Sequence, residues 1–202
     1  RAREKARQSS CSSNLKQLNL GALMYLQDYD ERFPPGLVGS PGCGQGPVSQ
    51  STYFTDYKLT YDITYPYVKN VQLYFCPSSA SDSSYAGNYG YNERLCPDCR
   101  TASVVRLAIV GSPAETILCL DAGPYMCNEG YLTSPTGNFW YIPGTAMGRD
   151  PASLTPYALT GLFATDFQSG RHNQGCNVGF ADGHVKWLSS TYLYGNPGMW
   201  AP

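Results

Sequence analysis

The sequence is poor in charge and in histidine. Only 14% of its 202 residues are charged, the formal net charge is −1, and there are two histidines. A typical soluble protein has about 25% charged residues. A near-neutral chain lacks the basic surface that binds nucleic-acid phosphates, so we expect no nucleic acid among its partners. The sequence also contains no P-loop, G-x-S-x-G or H-E-x-x-H motif, and we therefore expect no catalytic activity.

Long hydrophobic runs are also missing. No stretch approaches the roughly 18–20 continuous apolar residues that cross a bilayer, and no secretory signal peptide is recognisable. The chain begins with Arg1 and not with Met. We therefore expect a mature or truncated product whose targeting segment lies upstream of Arg1.

Tyrosine, glycine, proline and cysteine are abundant instead. There are 17 Tyr, 21 Gly, 15 Pro and 8 Cys, a composition typical of a loop-rich domain that contains strands. An even number of cysteines with little charge favours an oxidising, extracellular compartment and disulfides, although eight cysteines allow about 105 pairings. We expect Cys119 or Cys127 to share a network with Cys96 or Cys99. The disulfide candidates are Cys43, Cys76, Cys96, Cys99, Cys119, Cys127 and Cys176.

The N-terminal segment has the periodicity of an amphipathic helix. Apolar residues recur at intervals of three or four, which places them on one helical face. They are Cys11, Leu15, Leu18, Ala22, Tyr25 and Tyr29. Pro34 and Pro35 end the pattern because proline cannot continue a helix. We predict two units, an amphipathic helix over residues 1–33 and a globular head over residues 34–202.

The helix starts with an unfavourable charge pattern. Four basic residues and one acid, Glu4, occupy its first two turns, and cations oppose the macrodipole at a helix N-terminus. The conflict disappears if the helix is the C-terminal half of a longer one. The basic residues are Arg1, Arg3, Lys5 and Arg7.

The remaining sequence predicts short elements between long loops. Residues 61–70 indicate a helical or turn segment, residues 71–75 a strand, and residues 116–120 a buried strand. Residues 176–188 predict a hairpin, because Asp182-Gly183 separates two alternating runs. Residues 122–160 form a Gly/Pro/Tyr-rich excursion. Within it, Phe139, Trp140 and Tyr141 are the best candidates for an exposed aromatic patch.

Two segments resemble the DUF1559 group of prepilin-like proteins. Residues 1–35 are similar to the part that follows the hydrophobic N-terminal stretch of such proteins. His172, nine intervening residues and then Asp182-Gly183 reproduce the H-X9-DG signature of that group. Residues 74–78, 89–92 and 115–118 resemble its middle region. The eight cysteines and the excursion over residues 122–160 depart from it.

The resemblance implies an α+β, pilin-like fold in which a long N-terminal helix packs on a small antiparallel sheet with long, disulfide-stapled loops. It also implies a structural subunit of a bacterial type IV pilus or type II secretion pseudopilus, located at the cell surface. Its partners would be copies of itself in a helical filament and, before extraction, the inner-membrane assembly machinery. The apolar stripe of the N-terminal helix would bind the head to its own helix.

Other functions stay open on the sequence. The aromatic loops suit a glycan- or surface-binding module, and a thiol enzyme is the weaker alternative. Cys96-Pro97-Asp98-Cys99 has the spacing of a redox pair but lacks the strand–helix context. A zinc site on this pair would need a second spaced pair.

The sequence contains candidates for two further kinds of site. His172 and Cys176 form a nucleophile pair only if they meet in space, and the simpler interpretation is that His172 anchors the loop before the hairpin. Calcium is a weak cofactor hypothesis without a D-x-D-x-D-G series. Its candidate oxygen ligands are Asp121, Asp150, Asp166 and Asp182.

Overall fold

The computed structural model of the chain begins with a long helix and ends with a β-hairpin followed by a short helix. The helices are α1 (Ala2–Asp28), α2 (Thr60–Val68) and α3 (Ser190–Gly195). The strands are β1 (Leu37–Val38), β2 (Lys58–Leu59), β3 (Gly90–Asn92), β4 (Ile117–Leu120), β5 (Met126–Cys127), β6 (Asn138–Tyr141), β7 (Thr155–Ala158), β8 (Gly175–Phe180) and β9 (Val185–Ser189). The structure describes residues 1–38, 58–78, 88–97, 105–121, 126–127, 138–141, 155–158 and 171–202.

Helix α1 has the buried face that the sequence predicts, but it ends at Asp28 and not at residue 33. Its buried residues are Cys11, Leu15, Leu18, Asn19, Gly21, Ala22 and Leu26. The stripe ends earlier than predicted, because Tyr25 is half-buried and Tyr29, just past the helix, is 50% exposed. No helix in the described part of the chain is both long and apolar enough to cross a membrane.

The main sheet has the strand order β5-β3-β4-β8-β9. Neighbouring strands from β3 to β9 pair antiparallel, whereas β5 joins β3 in parallel. The predicted α+β class, with a long N-terminal helix and a small antiparallel sheet, is therefore confirmed.

The C-terminal hairpin is confirmed at the predicted turn. Strands β8 and β9 pair from Gly175↔Ser189 to Gly179↔Val185. Gly183 has φ of 91°, a left-handed conformation that glycine adopts without strain. Gly183 N–H donates to the Phe180 carbonyl at 2.8 Å, which closes the turn.

Alternation along β8 divides the interior into two hydrophobic clusters. Cys176, Val178 and Phe180 pack in a cluster with Leu193 and Trp200. Successive strand residues point to opposite faces, so the residues between them turn toward α1. There Asn177 donates its side-chain N–H to the Gln8 carbonyl, and Asn19 donates to the Phe180 carbonyl at 3.3 Å. The sheet therefore holds α1 by hydrogen bonds as well as by apolar packing.

The segment after α2 departs from the prediction. Residues 71–74 form a 3₁₀ helix and not a strand. Asn70 caps it by accepting a hydrogen bond from the backbone N–H of Gln72 at 3.0 Å. Leu73 and Tyr74 enter the core beside α1. Local capping and burial thus outweigh the β-propensity of the sequence.

The excursion over residues 122–160 contains short strands. Strand β6 pairs with β7 in a separate two-stranded sheet, with Trp140 opposite Pro156. The side chains of Phe139, Trp140 and Tyr141 lie outside the described part of the chain, so the aromatic patch stays a prediction.

Candidate functional site

His172 occupies a tight turn immediately before β8. Its backbone N–H donates to the Gly175 carbonyl at 2.9 Å, and the Gly175 N–H donates back at 3.1 Å. Between them Asn173 and Gln174 have φ of 53° and 64°, a left-handed pair typical of a hairpin-type turn. Trp187 Nε1 donates to the His172 carbonyl at 2.8 Å. These bonds confirm that His172 anchors the loop before the hairpin.

The imidazole ring of His172 is fully buried between two carboxylates. Nδ1 lies 2.7 Å from Glu4 Oε1 on α1, and Nε2 lies 3.1 Å from Asp121 Oδ2 at the end of β4. Asp121 is fully buried, whereas 29% of the Glu4 side chain is exposed. The ring therefore joins the helix to the sheet through its two nitrogens.

Each carboxylate is held by a further partner. Asp121 follows β4 and accepts two hydrogen bonds from Asn177 on the adjacent β8, from the backbone N–H at 2.8 Å and from the side-chain N–H at 2.6 Å. Glu4 accepts from the Ser78 hydroxyl at 3.1 Å. Because β4 and β8 are neighbours in the sheet, their pairing places Asp121 beside the ring.

A disulfide between Cys11 and Cys76 closes the other side of the site. Its Cα atoms are 5.4 Å apart, and it links α1 to the end of the 3₁₀ segment. Cys76 Sγ lies 3.3 Å from His172 Nε2. The disulfide candidate Cys76 is therefore placed in a disulfide, but its partner is Cys11, which the sequence assigned only to the apolar stripe.

The two carboxylates favour the protonated imidazole. Burial lowers the pKa of His172, but the hydrogen bonds and negative charges of Asp121 and Glu4 together raise it above its ordinary value. The doubly protonated ring donates one N–H to each carboxylate. The protonated ring and its two hydrogen-bonded carboxylates therefore link α1 to the end of β4. With its proton removed, Nε2 presents a lone pair beside the Cys76 sulfur and the Asp121 carboxylate.

The other signature residues form a separate surface turn. Asp182 accepts a hydrogen bond from the backbone N–H of His184 at 3.0 Å, and the two side chains are 2.7 Å apart. Burial raises the pKa of Asp182, but the hydrogen bonds and charge of His184 lower it below its ordinary value. Asp182 and Gly183 therefore shape the hairpin, whereas His172 belongs to the buried cluster.

Of the remaining predicted cysteines, those with described side chains, Cys96, Cys119 and Cys176, lie outside this site. Cys96 is a buried thiol in the core beside α1. Its prediction as a disulfide partner is therefore wrong, and burial raises the pKa of this thiol. Cys119 and Cys176 are buried on β4 and β8. Cys176 packs on the sheet face opposite the His172 ring, so the proposed Cys–His pair does not form.

Several predicted residues have no described side chain. Cys127 lies on β5, of which the structure describes the backbone. The residues Cys43, Cys99, Asp150 and Asp166 lie outside the described residues. Of the calcium candidates with described side chains, Asp121 is buried and bonded to Asn177, and Asp182 is in the hairpin turn, so the structure does not bring them together.

Sequence patterns missed most of this cluster. Glu4 stands among basic residues, Asn177 lies within a strand, and Asp121 stands out only as a calcium candidate and by its place shortly after the segment that resembles the middle region of the DUF1559 group. These three residues are at positions 4, 177 and 121 of the chain, so no motif of fixed short spacing could have linked them. The H-X9-DG pattern was the one available signal, since it singled out His172.

A family comparison supports the resemblance at the N-terminus. Residues 1–57 match the model of a family described as Protein of unknown function (DUF1559), which confirms the similarity to that family over this segment. The matched segment includes all of α1 and two members of the cluster, Glu4 and Cys11. No curated protein and no solved structure matches the chain.

Proposed function

We propose that this chain is a structural subunit of an extracellular pilus-like or pseudopilus-like filament of a bacterium, assembled through its N-terminal helix. The role is mechanical and not catalytic. The observation that carries the proposal is the outward face of α1, which presents apolar side chains although the opposite face is already packed on the head. The match of residues 1–57 to DUF1559 supports it.

The outward face of α1 has a regular composition. Leu20 is 54% exposed and Met24 is 41% exposed, and they are four residues apart on one side of the helix. Ser13, Gln17 and Gln27 are also exposed and continue the same row at intervals of three or four. A row of uncharged side chains around two apolar ones suits contact with a second helix. We assign this row to contact with copies of the same chain.

The charges at the start of α1 fit the same role. Arg1, Arg3, Lys5 and Arg7 are all exposed. A basic segment beside an apolar span interacts favourably with an anionic leaflet. In the proposal these residues lie at the inner-membrane surface before the assembly machinery extracts the subunit.

Reading the coding sequence upstream of Arg1 is the first test. A short basic leader, a small residue at a cleavage point and about 20 apolar residues are expected. A plain secretory signal followed directly by Arg1 would contradict assembly through a continuous helix.

Substitution of the outward row is the second test. We expect the Leu20→Arg/Met24→Arg double variant to lose surface filaments in immunogold electron microscopy, because charges then face the neighbouring helix. Its thermal midpoint should stay close to that of the wild type, since both side chains are exposed. Tyr192→Arg is the matched control at an exposed aromatic residue away from α1 (50% exposed). Filaments of normal length in the double variant would refute the assigned surface.

A further inference from the structure

The disulfide and the buried histidine form a set of metal-ligating atoms. The two sulfurs of Cys11 and Cys76 and a ring nitrogen of His172 all lie within 4.8 Å of one another, and all three residues are buried. They come from three distant parts of the chain, namely α1, the end of the 3₁₀ segment and the turn before β8. This convergence is independent of the filament proposal.

The spacing of these atoms suits a tetrahedral zinc site. Four ligands at zinc bond lengths of about 2.0–2.3 Å lie about 3.3–3.8 Å from one another. His172 Nε2 is 3.3 Å from Cys76 Sγ and 3.1 Å from Asp121 Oδ2. An ion that replaces the Nε2 proton therefore faces both a sulfur and a carboxylate.

The surroundings of the histidine match those of metal-bound imidazoles. A metal-ligating histidine usually donates its second N–H to a carboxylate, which orients the ring. Here Glu4 Oε1 lies 2.7 Å from Nδ1. Asp121 is oriented in turn by its two hydrogen bonds from Asn177. The ring and the carboxylate are thus already fixed.

We propose that the chain with a reduced Cys11–Cys76 pair binds one Zn²⁺ ion through Cys11, Cys76 and His172, with Asp121 as the nearest carboxylate for the fourth position, and that disulfide formation and zinc binding exclude each other. A dithiol reductant supplies two electrons and two protons, the S–S bond breaks, and the reductant becomes a disulfide. Zinc then displaces the two thiol protons and the Nε2 proton of His172, all three of which pass to solvent, and the neutral ring binds through Nε2. The two sulfurs must separate by about 1.7 Å and shift toward Asp121, whose carboxylate lies outside the group of atoms within 4.8 Å of one another.

This site gives the chain two alternative links between α1 and the head. Zinc holds the cysteine pair in the reduced chain, and the disulfide holds it after oxidation. In both states α1 stays attached at the same point. The signature histidine then serves as a ligand in one state and as a partner of two carboxylates in the other.

Cobalt titration of the 202-residue chain tests the site. We would reduce the chain with a phosphine under argon, remove the reductant and add Co²⁺, whose spectrum reports tetrahedral geometry and thiolate ligation. We expect one equivalent bound with a thiolate-to-cobalt band, displaced by one equivalent of Zn²⁺. The oxidised chain should show no such band. A reduced chain that behaves like the oxidised one would overturn the proposal.

Variants separate this site from the other cysteines. Cys11→Ser/Cys76→Ser should abolish the band, and Cys96→Ser, at a buried thiol outside the cluster, should keep it. His172→Gln and the conservative Glu4→Gln should each weaken binding by about tenfold or more, with the circular dichroism of each variant reporting its fold. An undiminished band in the double serine variant, or unchanged affinity in both His172→Gln and Glu4→Gln, would place the metal elsewhere.

Discussion

His172 combines full burial with two charged neighbours. Its ring contacts Glu4 at 2.7 Å and Asp121 at 3.1 Å. A folded-state pKa raised above the ordinary value means that the folded chain holds this proton more tightly than the unfolded chain. The resulting stabilisation is complete below the unfolded pKa of about 6.5 and is lost as the pH rises through the folded pKa.

The first prediction concerns this pH dependence in the disulfide-bonded, metal-free chain. The free energy of unfolding of the wild type, relative to that of His172→Gln, should fall as the pH rises from about 6.5 through the raised folded-state pKa of His172. At pH 6 the variant should be about 3 kcal/mol less stable, because Asp121 stays buried without its charged partner. Urea unfolding across this pH range measures both.

A matched control is available at the second histidine. His184→Gln removes a partner of Asp182 whose side chain is 38% exposed, and an exposed pair contributes at most about 1 kcal/mol. A constant difference between the wild type and His172→Gln at every pH would contradict the assignment of the proton to His172.

Single residues also show which features can be predicted from the sequence and which cannot. The turn at Asp182-Gly183 was predictable because its chemistry is local, and Gly183 has the expected positive φ of 91°. The disulfide partner of Cys76 was not, since Cys11 is 65 residues away and its position fits the apolar stripe equally well. Local patterns determine turns and helix faces, whereas contacts between distant segments follow from the folded topology.

At the scale of elements, α1 and β8 approach each other closely. Gly179 on β8 faces Asn19 on α1, and a Cβ atom built on Gly179 would collide with the Asn19 side-chain amide. Asn19 is fully buried and donates to the Phe180 carbonyl. The missing side chain of Gly179 thus allows the helix to hydrogen-bond to the strand backbone.

The second prediction follows from this contact. Gly179→Ala should destabilise the chain by about 1–3 kcal/mol, because α1 must move away or Asn19 must leave its hydrogen bond. Gly111→Ala is the matched control, since a Cβ there has no neighbour within 4 Å. Thermal unfolding of both variants tests this, and equal midpoints would show that α1 does not rest on β8 at Gly179.

The elements that sequence predicted well share strong periodicity. Helix α1 repeats apolar residues over several turns, and the β8–β9 hairpin alternates around a glycine turn. The strand prediction over residues 71–75 was wrong because four apolar or aromatic residues in a run of five suit a strand or a short buried helix equally. The Asn70 side chain caps residues 71–74 and so favours the 3₁₀ helix over the strand. This preference depends on a single side chain.

At the scale of the whole molecule, one covalent bond and one buried ion cluster fasten α1 to the head. The Cys11–Cys76 disulfide closes a segment of 65 residues. The cluster of His172, Glu4 and Asp121 lies beside it, so both attachments act on the first three turns of the helix. The remaining turns depend on apolar packing of residues such as Leu15, which is fully buried, and on hydrogen bonds such as that from Asn19 to the Phe180 carbonyl.

The last prediction separates the disulfide from ordinary core packing. In the chain-entropy model, closing a loop of this length stabilises the folded state by up to about 4 kcal/mol. Cys11→Ala/Cys76→Ala should lose most of this stability in urea unfolding with a chelator present. Cys96→Ala, which removes a buried thiol and no crosslink, should lose only about 1–2 kcal/mol. Equal losses would mean that the disulfide adds nothing beyond burial of its sulfur atoms, and that noncovalent contacts hold α1 on the head.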